Sequence, residues 1–292
     1  MSRKPELPVR GFLLHVTHYD PRWCRRKGRE RPMDVDLAVE VVEAMAAAGM
    51  NLLVLDVADG VKYKSHPELK RPYSIPMRSL RRICTAAGRN GIEVVPKLNF
   101  ARSHYHQHNQ WFRPHANDRG HFDDERYWTT AFEVIDELID AVKPKRFFHV
   151  GMDEDHSRSY TQYAEAICAL HAGLRRRKLR TVMWKDAHDW PPIQCHTEKA
   201  LFAERRIPTD IVQIPWCYSS VLTRPVRRLA RKGFEVWGAP GRDVRQVRDW
   251  RQTLLRYGGK GILLTQWIPC RPGNRKALLE LIGTCGPVCR DG

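Results

Sequence analysis

The chain has 292 residues, 42% hydrophobic and 28% charged, which supplies a sizeable core and excludes both a disordered tail protein and a collagen-like chain. Its 50 Lys and Arg against 33 Asp and Glu give a formal net charge of +17, which favours solubility and attraction to polyanions but does not specify a fold. No apolar run approaches the ~20 residues of a membrane span, and the first residues lack the apolar core of a secretory signal, so the cytoplasm is the expected location and no membrane partner is expected.

In chain order, short apolar or β-branched runs alternate with segments whose apolar residues recur at helical spacing. Runs at 11–16 and 52–57 flank a helix with Asp34 as N-cap, an apolar face of Leu37, Val41, Met45 and Ala48, and Gly49 as its end. The run at 92–98 precedes a long polar stretch, 99–124, and then a helix carrying Trp128, Phe132, Ile135 and Ile139, stopped by Pro144. Runs at 146–150 and 181–184 enclose the stripe Tyr163, Ile167, Leu170 and Leu174. Runs at 211–216, 234–237 and 261–267 complete the series, with Val244, Val247, Trp250 and Leu254 before Gly258 and Gly259. Eight strand and helix units of about 36 residues predict a single α/β domain over 1–292, a (β/α)8 TIM barrel with an extended loop after strand 3.

The basic residues fall in short bursts, Arg25-Arg26-Lys27, Arg175 to Lys178 and Arg227-Arg228, mostly in helical contexts. No nucleic-acid reader motif accompanies them, so nucleic acid is not the expected partner despite the charge. Eight cysteines are too few for a disulfide scaffold, and Cys285 and Cys289 lack the second ligand pair of a structural zinc site. The leading reading assigns no metal and no cofactor, and it leaves the oligomeric state open.

In a barrel, chemistry sits where the strands run out at their C-terminal ends. The polar and aromatic residues expected there are His15, His18, Asp56, Asp59, Asn99, His104, Asp153, Glu154, Asp186, Trp216 and Trp267. Carboxylates supply acid and base groups, and indoles offer flat faces for the C–H side of a sugar, so the combination points to a carbohydrate pocket. The sharpest feature is Phe147-Phe148-His149-Val150-Gly151-Met152-Asp153-Glu154, an apolar strand that discharges into two adjacent carboxylates. Strand side chains alternate faces, so both acids reach one pocket only where the strand ends or bulges, and Gly151 makes that inexpensive. On spacing alone, a solvated loop or a helix cap is an equal reading.

His149-Val150-Gly151-Met152-Asp153-Glu154 resembles the His-x-Gly-Gly-Asp-Glu strand of glycoside hydrolase family 20, the β-N-acetylhexosaminidases, with Met152 in place of a glycine. Arg10-Gly11 resembles the opening of that family's first strand, Asn51, Asp59 and Tyr63 follow its second-strand spacing, and Trp184 and Trp267 fall on its fifth and eighth strands. Several positions differ. His15 and His18 stand where the family has Asp and Arg, Lys97 and Asn99 replace acids, Pro269 replaces a sugar-binding Glu, and no tyrosine lies near Ala239-Pro240 to hold the acetamido group.

The resemblance implies retaining hydrolysis of a terminal β-linked N-acetylhexosamine, or a related sugar, assisted by the substrate's 2-acetamido oxygen. It assigns Glu154 as the acid and base and Asp153 as the stabiliser of the oxazolinium charge. Arg10, Asp59, His104, His149, Trp184, Trp216 and Trp267 become substrate-binding residues. Two alternatives remain open: a metal-dependent barrel hydrolase using His104, His106 and His108, and a non-catalytic glycan or polyanion binder that keeps the barrel.

Overall fold

Eight strands of two to nine residues, each too short to bury itself alone, form a parallel ring wrapped by helices. The structure, a computed structural model, describes residues 6–17, 30–102, 123–188 and 194–291. The strands are β1 (Val9–His15), β2 (Leu52–Asp56), β3 (Glu93–Lys97), β4 (Phe147–His149), β5 (Arg180–Lys185), β6 (Val212–Pro215), β7 (Trp237–Gly238) and β8 (Gly261–Pro269). The helices are α1 (Val35–Ala47), α2 (Met77–Arg89), α3 (Glu125–Val142), α4 (Tyr160–Arg176), α5 (Gln194–Ala203), α6 (Thr223–Arg231), α7 (Val244–Tyr257) and α8 (Arg275–Asp291).

Hydrogen-bonded neighbours run β6-β5-β4-β3-β2-β1-β8-β7. Single parallel bridges, Gln213 with Val236 and Trp216 with Ala239, join β6 to β7 and bring the ring round, giving the predicted (β/α)8 barrel. Most of the extended loop expected after β3 lies outside the described residues.

The period of two along each strand divides the side chains between two dry layers. Leu13, Val54, Val95, Val182, Ile214 and Leu263 fill the barrel interior. Their neighbours, such as Phe12, Leu53 and Phe148, pack against Val41 and Met45 of α1, Ile135 of α3 and Ile167 of α4. Each fully buried aliphatic or aromatic side chain contributes about 1.5–3 kcal/mol.

The helix ends follow their sequence signals. The carboxylates of Asp34, Asp124 and Asp243 accept the N–H groups of Leu37, Tyr127 and Gln246, and Ser159 with Gln162 forms a capping box on α4. The first helix ends at Ala47, and Gly49, at φ +73°, turns the chain toward β2. No described helix is long and apolar enough to cross a membrane.

Candidate active site

The topmost inward positions of the first four strands are His15, Asp56, Lys97 and His149, all buried. Lys97 Nζ donates to Asp56 Oδ2 at 2.6 Å, and His15 Nδ1 lies 3.1 Å from the same oxygen. Burial alone would raise the Asp56 carboxyl, but the Lys97 cation and the hydrogen bond from His15 hold it well below the usual carboxylate range. Burial lowers His15 against the opposing hydrogen bond and charge of Asp56, and burial together with the Lys97 charge lowers His149 strongly, so both rings are neutral. A charged floor of one cation and one anion therefore lies beneath the mouth. Lys97 departs from the family pattern in sequence, yet its charge is fully matched here.

The chain leaves β4 through left-handed backbone at Gly151 (φ 72°), Met152 (φ 75°) and Glu154 (φ 52°). This breaks the strand alternation, as two consecutive acids at one mouth require. A methyl group on Gly151 would overlap the Asn99 side chain, so glycine is needed there on both counts. Asn99 organises the exit: its Oδ1 accepts the N–H groups of Ala101 (2.9 Å) and Met152 (3.0 Å), and its Nδ2 donates to Asp153 Oδ1 at 2.6 Å. Tyr163 Oη donates to the Met152 carbonyl at 2.7 Å from beneath. Further along, Arg158 Nη1 and Lys199 Nζ clamp Asp155 by its carboxylate (2.7 Å) and its carbonyl (2.6 Å), which ties the same loop to α5.

Asp186, just beyond β5, joins the acids to the aromatic wall. Its Oδ2 accepts the Glu154 N–H at 2.9 Å and its Oδ1 accepts the Trp216 indole N–H at 3.2 Å. Burial raises Asp153 to about 6, with the Glu154 charge adding and the Lys97 charge and Asn99 hydrogen bond opposing. Burial raises Asp186 to about 8, reinforced by the charge of Asp153. Asp153 is thus ionised at neutral pH while Asp186 keeps its proton, the separation expected of carboxyls crowded in a partly dry site.

Trp216 and Trp267 are half-buried at the same mouth, and Trp184 is buried against Trp267. Trp184 lies 6.1 Å from Trp267 and 4.8 Å from His149 between ring centroids, and Trp267 lies 5.1 Å from His15. Trp267 faces inward by the same alternation as Leu263, and β8 bulges beside it: Leu13 pairs with Thr265 and His15 with Pro269, so four residues of β8 span two of β1. Trp267 Nε1 donates to Tyr218 Oη at 2.7 Å, and Trp216 lies 5.6 Å from the Tyr218 ring. Burial raises Tyr218, so the phenol keeps its proton. Arg242 lies over the Tyr218 ring at 5.1 Å and donates to the Thr265 carbonyl at 3.0 Å. Beside Trp216, burial would raise the Cys217 thiol, but hydrogen bonds with His188, Ser220 and Ser219 bring it down to about 6.

Among the residues singled out by sequence, Asp153, Glu154, His149, Trp184, Trp216 and Trp267 come together at this end of the barrel. Arg10 does not. It lies at the start of β1, at the opposite end of the barrel, and outward strand parity sends its guanidinium to the carbonyls of Gly49 and Leu7, both at 2.8 Å. Asn51 lies there too, exchanging hydrogen bonds with the Arg10 N–H and the Pro8 carbonyl. Asp59 follows β2 but is fully buried, where Tyr73 Oη donates to it at 3.0 Å and Arg71 Nε lies at 3.3 Å, so it braces its own loop. His18, His104, His106 and His108 lie outside the described residues. Among the described residues no group of three or more His, Cys, Asp or Glu is arranged to hold a metal ion. Lys97, Tyr218, Arg242, His188 and Cys217 were not assigned from sequence, and Asn99 and Asp186 were noted only as strand-end residues.

No protein-family model and no curated protein matches the sequence. Solved structures do. The GH20 exo-β-N-acetylglucosaminidase of Vibrio harveyi, in complex with N-acetylglucosamine, superposes with a TM-score of 0.70 at 13% identity, over 99% of this chain and 55% of that one. The Streptomyces plicatus N-acetyl-β-hexosaminidase in complex with Thio-NAglucal gives 0.71 at 16% identity, over 97% of this chain and 64% of that one. Dispersin B gives 0.60 at 16% identity, over 98% and 100%. This chain thus spans about half to two-thirds of the length of the first two. Its barrel is similar in fold to solved GH20 β-N-acetylhexosaminidases.

Proposed function

We propose that the chain is a glycoside hydrolase that removes a terminal β-linked N-acetylhexosamine, or a related sugar, with retention of configuration. The observation that carries this reading is the paired support of two consecutive acids at the β4 exit, Asp153 by Asn99 and Glu154 by Asp186, beside three indoles. The fold likeness to β-N-acetylhexosaminidases agrees with it.

In this reading Glu154 protonates the glycosidic oxygen as the bond to C1 breaks, and the 2-acetamido carbonyl oxygen attacks C1 to give an oxazolinium. Asp153 accepts the acetamido N–H and stabilises the positive charge that develops there. Because Asn99 occupies Asp153 Oδ1, Oδ2 serves the substrate. Glu154, now a carboxylate, then takes a proton from the water that attacks C1 and opens the ring. Tyr218 supplies the hydroxyl that sequence had not located after strand seven: it follows β6, keeps its proton, and is held beside the indoles of Trp267 and Trp216. Trp184, Trp216 and Trp267 wall the sugar, and His149 supports the β4 exit through the hydrogen bond from Gly151 N–H to its Nδ1 at 3.0 Å.

Competitive inhibition by a stable oxazoline mimic tests the substrate-assisted step. Strong inhibition of turnover is expected, together with protection of the fold against heat. A protein that binds N-acetylglucosamine but never turns over an aryl glycoside would be a glycan binder instead.

A further inference from the structure

We propose that the N-terminal face of the barrel, opposite the acids, holds a binding site for a small multivalent oxyanion, a ligand carrying phosphate or sulfate groups. A cavity of about 430 Å³ opens there between the beginnings of β1, β4, β5 and β8. That volume falls in the range of small-molecule sites. Its wall carries Lys145, Arg146, Lys178, Arg180 and Lys260 against one carboxylate, Glu235.

Two of the cations are built in. Arg146 Cζ lies 4.8 Å and Arg180 Cζ 5.4 Å from the centroid of the buried Phe147 ring, which is itself wedged edge-on against Trp237 at 5.1 Å. Glu93 holds Arg146 at 2.6 Å and Glu235 holds Arg180 at 2.7 Å. These contacts fix two guanidinium planes at the cavity edge, the geometry that suits oxyanions. Lys145, Lys178 and Lys260 have no carboxylate partner among the described residues, so five cations face two anions.

Helix dipoles do not absorb this excess. The helices α3, α4 and α7 end beside Lys145, Lys178 and Lys260, and each supplies about half a negative charge, roughly one and a half in all against a net three. The N-terminal face of a barrel ordinarily serves stability, and unpaired like charges converging on a hollow work against it. An adjoining hollow of about 370 Å³ shares Arg180, Glu235 and Lys260, which extends the site along the face and favours a ligand with more than one anionic group.

The test is calorimetric titration at low ionic strength with two probes, inorganic pyrophosphate and a heparin-derived tetrasaccharide, on the full chain and on two variants of equal charge change. Saturable binding of at least one probe is expected, and which probe binds more tightly assigns a phosphate or a sulfate ligand. Affinity should fall at least tenfold in K145Q/K178Q/K260Q, whose side chains are exposed, and stay within twofold in R78Q/R245Q/R248Q, exposed near the N-terminal ends of α2 and α7. Equal loss in the two variants would reduce the effect to overall charge and overturn the proposal. Absence of saturable binding by both probes would overturn it as well. Glycosidase activity is not the readout, so failure here leaves the proposed reaction standing.

Discussion

Asp186 accepts the backbone N–H of Glu154 at 2.9 Å, which fixes the residue proposed as general acid in its left-handed conformation, and with its other oxygen it holds Trp216. One carboxyl thereby sets the position of both the proposed proton donor and an indole proposed to wall the sugar. Removing it in Asp186→Ala is expected to lower kcat by about 10–100-fold and to raise KM, because misplacing a catalytic group by an ångström costs on that order. Asp186→Asn keeps one acceptor and should retain more of kcat than Ala does. Steady-state kinetics on both variants checks this, and unchanged kcat in Asp186→Ala would remove the positioning role.

Glu154→Gln is expected to abolish most turnover of substrates with poor leaving groups, which need protonation. Aryl glycosides with activated leaving groups should lose less, since their departure needs little proton transfer. A comparison of methyl and dinitrophenyl glycosides reads the difference. Equal losses on both would contradict the acid role.

The raised carboxyls make folding stability depend on pH in a stated direction. Asp153 near 6 and Asp186 near 8 hold protons in the folded chain that ordinary carboxyls near 4 have released in the unfolded chain. The folded state therefore binds more protons between pH 4 and 8, and stability falls as pH rises through that window, by about 1 kcal/mol per pH unit for each such group. Asp56 acts in the opposite sense: its lowered value contributes stability above about pH 4 that is lost on acidification. Urea midpoints at pH 5, 6, 7 and 8 should decline in the native chain, and Asp186→Asn should flatten the part from 6 to 8. Activity should instead rise through pH 6 as Asp153 ionises, a limb that Asp153→Asn removes along with most of the turnover.

Lys97→Met leaves Asp56 buried beside neutral His15 without its cation. Breaking such a pair costs about 3–5 kcal/mol, whereas removing both charges costs less. The double variant Asp56→Asn with Lys97→Met should therefore be more stable than Lys97→Met alone in urea unfolding. The reverse order would mean that the pair is not the unit of stability.

Much of this architecture is written in residue spacing. Eight apolar runs and the caps at Asp34 and Gly258 follow from local chemistry, and the observed strands lie on or within three residues of the predicted runs. The short β7 is the main displacement. Its predicted run was 234–237, whereas only Trp237–Gly238 pairs, and Val236 joins β6 through a single bridge. Met152 and Glu154 adopt positive φ without a glycine's freedom because Asn99 and Asp186 hold their N–H groups, a long-range compensation that local sequence does not display.

The site was legible where one strand carries it and obscure where several elements meet. Alternation from Leu13 and Val54 places His15 and Asp56 inward, and the same count places Arg10 outward, so its resemblance to a family arginine did not make it a pocket residue. Lys97 looks like a loss in sequence because its partner, Asp56, lies on the neighbouring strand. Tyr218, Arg242 and Cys217 lie on connections after β6 and β7, whose path is set by tertiary packing.

The most direct test of the central claim compares turnover of two 4-nitrophenyl β-glycosides that differ only at C2, one bearing the acetamido group and the other a hydroxyl, in the native chain and in Asp153→Asn. The account predicts that the native chain hydrolyses the acetamido substrate with release of the β-anomer, at least a hundredfold faster than the hydroxyl analogue, and that Asp153→Asn loses most of that preference. Equal rates on the two substrates, or full activity in Asp153→Asn, would contradict it.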